Sequence, residues 1–183
     1  MKDKLLLATL ISNLFYSMAY PVIHITVVAG LDSRVLSISS LISCILAIFI
    51  NKMWLKSSEK LYNKFGVMLF LEGFVYFILL NTILANGITP HIYYVADAIL
   101  FATITRNIIC ASNRLKAIRY TGKDREVFDN KSVIYYNMAS IIGFGISSIF
   151  KIPVNMAFII MYIGIISDNF IYYFVYKNTA DRY

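Results

Sequence analysis

Two histidines and two cysteines are all the imidazole and thiol groups that 183 residues offer. His24, His91, Cys44 and Cys110 stand at no ligand or nucleophile spacing, and no apolar segment holds neighbouring acids. A metal centre, a resident cofactor and an enzymatic role are therefore not expected. Both cysteines fall inside apolar stretches, where a thiol packs as a small side chain; a disulfide between them is the other reading, and neither reports a redox compartment. Charged residues are scarce as well, at 15%. The net charge of +7 would suit nucleic acid if it formed a continuous soluble face. The lysines and arginines instead sit in short links between apolar runs, so no nucleic-acid partner is expected.

What fills the chain is apolar. At 59% hydrophobic residues it exceeds ordinary soluble domains, which hold roughly 45–50%, and a small core cannot hide the excess. Lipid is the expected solvent for much of the surface. A helix needs about 20 apolar residues to cross a bilayer core about 30 Å thick. On that length the chain reads as one domain, 1–183, with six spans at 5–29, 35–54, 66–84, 92–112, 132–150 and 154–176. Turn formers separate them: Gly30 and Asp32, Gly87 and Pro90, Gly122, and Pro153 in a link so short that the last two helices form a hairpin. The first run begins like a secretory leader. It continues far past the usual span of roughly 7–15 residues with no small-x-small cleavage site, so it is read as the first membrane helix.

Orientation follows from Lys and Arg outside the spans. Lys2 and Lys4 precede the first helix, and Lys52, Lys56, Lys60 and Lys64 follow the second. Arg114, Lys116, Arg119, Lys123, Arg125 and Lys131 follow the fourth, and Lys177 and Arg182 end the chain. Only Arg34 and Lys151 fall on the alternate links. The positive-inside rule then places both termini in the cytoplasm of an inner cell membrane, which requires an even number of spans. Trp54, Tyr62, Tyr172, Tyr173, Phe174 and Tyr176 fall at the cytoplasmic boundary as an aromatic belt. The expected fold is an all-α polytopic bundle.

On the first helix Asn13, Ser17, Tyr20 and His24, with Tyr16 beside them, form one polar stripe that contains Pro21. The stripe either hydrogen-bonds neighbouring helices or lines a water-filled cavity. The proline kinks the helix within it. Thr103, Arg106, Cys110 and Asn113 form a comparable face on the fourth helix, and two such faces suggest one shared site. Arg106 and Glu72 lie at similar depth and can pair; Asp168 is somewhat deeper, and Asp97 shares the outer third with His24. An ideal α-helix puts Asp97 and Arg106 about 180° apart. Three acids against one arginine leave net negative charge inside the membrane, relieved by proton or cation coupling; the alternative is that Glu72 and Asp97 snorkel to the interfaces. Ser40 and Cys44 on the second helix, and Ala139, Gly143 and Ser147 on the fifth, form small-residue packing faces, within one chain or between two.

Residues 47–56, AIFINKMWLK, occupy the loop position where major facilitator superfamily transporters carry G-x-x-x-D-R/K-x-G-R-R/K. Lys52 and Lys56 fit as basic residues, Asn51 stands for the acid, and Ala47 and Trp54 stand where glycines are usual. With Arg106 on the fourth helix followed by Cys110, Ala111 and Ser112, and Asp124, Arg125 and Glu126 before a glycine-containing fifth helix, the chain resembles the amino-terminal six-helix half of that superfamily. The resemblance implies that the first and fourth helices line a solute cavity and that the second and fifth meet the other half. It makes the third and sixth peripheral, which counts against roles for Glu72 and Asp168. It implies a small-molecule solute moved by alternating access and linked to protons through Arg106. A homodimer through helices 2 and 5 would then rebuild the twelve-helix form, unless the chain is a fragment of one. Two other classes stay open: a substrate-binding subunit of an energy-coupling-factor vitamin importer, with Ala8 and Ser12 as an imperfect docking face, and a non-transporting membrane interaction protein.

Overall fold

A computed structural model of the protein describes residues 3–55, 63–87 and 89–180. Lys2, Lys56, Lys60, Tyr62 and Arg182 of the basic links and aromatic belt lie outside them, as do the side chains of Asn51 and Trp54. All regular structure among the described residues is helical. The elements are α1 (Asp3–Ala29), α2 (Ser33–Leu55), α3 (Phe65–Asn86), α4 (Pro90–Arg119), α5 (Gly122–Ile149) and α6 (Val154–Ala180). By length and composition α1, α3, α4, α5 and α6 can each cross a membrane, and α2 carries a shorter apolar stretch, Ser33–Phe49. Large apolar side chains point outward along them; Phe70 is 71% and Ile149 75% exposed. In water that surface would be costly, and in hydrocarbon it is not.

Two helices run past their expected ends. Expected at 132, α5 begins at Gly122, because polar residues exclude a segment from lipid and not from helix. Asp124 sits in its first turn, and Arg125 bonds Asp129 at 2.7 Å one turn on. The polar start carries α5 about 15 Å beyond its apolar part. Similarly, α4 continues to Arg119, with Lys116 and Arg119 in its basic last turn. Its start follows capping rules: Thr89 is extended and Pro90, which has no N–H to lose, opens the helix.

The chain forms two compact units, one of residues 3–24 and 115–180, the other Ile25–Arg114. In unit 1, α1 is the central helix. A Cβ placed on Gly143 of α5 would stand 2.7 Å from Ser17 Cβ and 2.8 Å from the Leu14 carbonyl oxygen, and one on Gly164 of α6 would stand 2.8 Å from Phe15 Cβ. The glycines let two backbones close on α1. The small face of α5 is thus used inside the chain, with Ala139 and Gly143 buried and Ser147 half-buried. At one end of the unit, Lys4 lies near the Phe174 ring, Arg119 Nη1 donates to Thr179 Oγ1 at 3.2 Å, and Tyr120 stacks on Phe128 at 4.3 Å. The start of α1 and the end of α6 therefore share one end of this unit.

In unit 2, α2 packs along α4 from Pro90 through Thr105, and α3 packs against α4 near residues 101–105. Ser43 Oγ donates to the Ala98 carbonyl oxygen at 3.4 Å, and Ser40 Oγ lies 3.5 Å from Tyr94 Oη, so the small face of α2 lets hydroxyls reach α4. Gly87 ends α3 at φ +76°, a conformation that favours glycine.

Candidate functional site

The polar stripe on α1 divides by exposure. Ser17 is 2% exposed and sits under Gly143, where it serves packing. Asn13 turns back on its own helix, its Nδ2 donating to the Thr9 carbonyl oxygen at 2.7 Å. The remaining three residues form an exposed ring ladder: Tyr16 stacks on Tyr20 at 5.0 Å and Tyr20 on His24 at 5.1 Å. Spacing of four residues brings successive rings over one another. This ladder belongs to unit 1.

The α4 face belongs to unit 2, and its backbone departs from an α-helix. Residues Phe101–Thr105 form a π-helical segment, in which the Arg106 N–H donates to the Phe101 carbonyl oxygen five residues back. A π turn inserts one residue without adding a turn, so the α-helical angle of about 180° between Asp97 and Arg106 falls to about 80°. Side chains serve the carbonyls around it. Thr103 Oγ1 donates to the Ile99 carbonyl oxygen at 2.7 Å, and Asn107 Nδ2 donates to that of Thr103. Asn107 is buried, and no donor among the described residues reaches its Oδ1. Arg106, Cys110 and Asn113 are exposed.

Beside this segment, two acids and two hydroxyls link α3 to α4. Thr105 Oγ1 donates to Glu72 Oε1 at 2.7 Å, and Tyr76 Oη donates to Asp97 Oδ1 at 3.2 Å. Glu72 and Tyr76 are one turn apart on α3, so the two bonds stand as rungs between the same helices. Glu72 is only 6% exposed. Expected at the depth of Arg106, it bonds the residue before it, because the π turn brings Thr105 toward α3. Glu72 and Asp97 thus belong to one arrangement, whereas Asp168 lies in unit 1 with Asn169 and Tyr172 nearby on α6, where Lys116 is a cation whose charge interacts with it.

Two members of this arrangement escape sequence reading. Tyr76 was legible in principle as the residue four after Glu72. Thr105 was not, since an α-helical count turns it about 80° from Asp97, the π turn brings it to within about 20°, and no residue type announces that turn. Among the described residues no group of three His, Cys, Asp or Glu side chains could hold a metal ion, and Cys44 and Cys110 are free thiols. No protein-family model, no curated protein and no solved structure matches this chain.

Proposed function

We propose that the chain is a membrane carrier that moves a small solute by alternating access, with Glu72 and Asp97 taking up and releasing the coupling proton. The observation that carries this reading is the pair of carboxylate–hydroxyl rungs between α3 and α4 beside a π turn. An ionisable group within a membrane span is by default a functional position. A hydroxyl donates to an ionised carboxylate and accepts from a protonated carboxyl. Thr105 and Tyr76 can therefore hold their acids in place through both states. Conversion of the π turn to α would rotate Arg106 by about 100° about the axis of α4. Because the π turn also contains Thr105, a change at Glu72 is transmitted to that rotation.

The exposed rings of Tyr16, Tyr20 and His24 are the solute-contacting group in this proposal, and their faces suit a flat or cationic molecule. In this proposal the chain crosses six times with both termini cytoplasmic; Lys4 and Phe174 lying at one end of unit 1 supports an even number of crossings. A second copy, as in a half-size facilitator, would dock through α2, where Leu41, Cys44, Ile45 and Ile48 are exposed. Oxidative cross-linking through Cys44 in a Cys110→Ser variant tests that contact, and purely monomeric product rejects it.

The transport reading is tested in proteoliposomes that enclose a pH-sensitive dye and are offered a panel of small solutes. Wild-type protein should move protons in response to a solute, whereas Glu72→Gln should abolish the response and Thr105→Val should reduce it at least tenfold. Full solute-linked proton movement in Glu72→Gln overturns the proposal.

A further inference from the structure

The end of unit 1 that gathers the start of α1 and the end of α6 carries a lysine over an exposed aromatic ring and a second lysine one turn further along the ring-bearing helix. Phe170 and Phe174 are 63% and 47% exposed, with ring centroids 5.1 Å apart. Lys177 continues the same stripe, since positions 170, 174 and 177 share one face of a helix. From the other helix, Lys4 places its Nζ 6.0 Å from the Phe174 centroid. Register brings the two lysines level. Phe15 faces Gly164, and a rise of about 16 Å along each helix leads to Lys4 and to Val175, leaving Lys177 about 3 Å further along the axis. Among the described residues, three further cations of this end have partners, Arg125 with Asp129, Arg119 with Thr179 and Lys116 over the Tyr172 ring at 5.8 Å, and Lys123 and Lys131 are exposed on α5.

We infer that this face binds an anionic phospholipid, its phosphate between the ammonium groups of Lys4 and Lys177 and an acyl chain along Phe170 and Phe174. Two like charges at one rim repel, and an anion between them removes that repulsion. The rings beneath them select the source of the anion. Free phosphate leaves the phenyl faces uncovered, whereas a phospholipid supplies charge and hydrocarbon in the same order as the protein does. The inference is independent of solute transport.

The test uses the full chain in mild detergent, titrated with dioctanoyl phosphatidylglycerol, dioctanoyl phosphatidylcholine or inorganic phosphate while the thermal unfolding midpoint is followed. Phosphatidylglycerol should raise the midpoint saturably, and the other two should not. In the Lys4→Gln/Lys177→Gln variant the half-saturating concentration should rise about thirtyfold, from about fivefold per lysine, and each single substitution should give about fivefold. Lys131→Gln, an exposed lysine on α5, should leave it unchanged. Equal midpoint rises with phosphatidylcholine or inorganic phosphate would overturn the inference, as would wild-type affinity in the double variant or an equal loss in Lys131→Gln.

Discussion

Replacing Gly143 with alanine adds one methyl group where α5 meets α1, and its effect can be worked from the neighbours it would strike. The new carbon would lie 2.7 Å from Ser17 Cβ, 2.8 Å from the Leu14 carbonyl oxygen and 3.1 Å from the Met18 nitrogen. Two of the three are backbone atoms, so no rotamer change relieves them and the helices must separate. Overpacking of this kind costs about 1–3 kcal/mol. Alanine returns up to about 1 kcal/mol through its better helix propensity. The expected net is a loss of about 1–2 kcal/mol, read as a lower thermal midpoint in mild detergent. Gly145→Ala supplies the control, because nothing lies within 4 Å of its added carbon; only the propensity gain remains, and stability should hold or rise. Ser17→Gly in the Gly143→Ala background should recover part of the loss and not all, since the Leu14 oxygen stays in place. Gly143→Ala as stable as Gly145→Ala would refute the packing argument.

Deleting Ile104 should convert the π segment to a regular α-helix, leaving the protein folded by circular dichroism while solute-linked proton movement is lost; unchanged transport would detach the π turn from function. Lys116 and Asp168 lie on α4 and α6 of unit 1, within electrostatic reach of one another. Lys116→Met and Asp168→Asn should each lower stability, and the double variant should lose less than the sum, with a coupling of about 0.5–3 kcal/mol in a thermal double-mutant cycle. Strict additivity would show that the two charges do not support each other.

The helices were legible because lipid demands length, and length is written in the apolar runs at 66–84 and 154–176. Their polar extensions were less so: residues 122–131 read as a link since charge excludes lipid, yet the same residues form a helix stabilised by the Arg125–Asp129 pair. The stripe on α1 was visible as periodicity, but periodicity records which residues share a face and not what covers it, so Ser17 under Gly143 and the exposed Tyr20 looked alike. Glu72 and Asp97 stood out as charges in apolar surroundings. Tyr76 could be found one turn after Glu72, but Thr105 could not, because the π turn shifts every later side chain on α4 by one position and leaves no mark in composition.

Infrared difference spectra of the reconstituted protein between acidic and alkaline pH test most directly whether the two acids exchange protons within the membrane. The account predicts a protonated-carboxyl stretching band that loses intensity in Glu72→Gln and again in Asp97→Asn. A wild-type difference spectrum in both variants would contradict it.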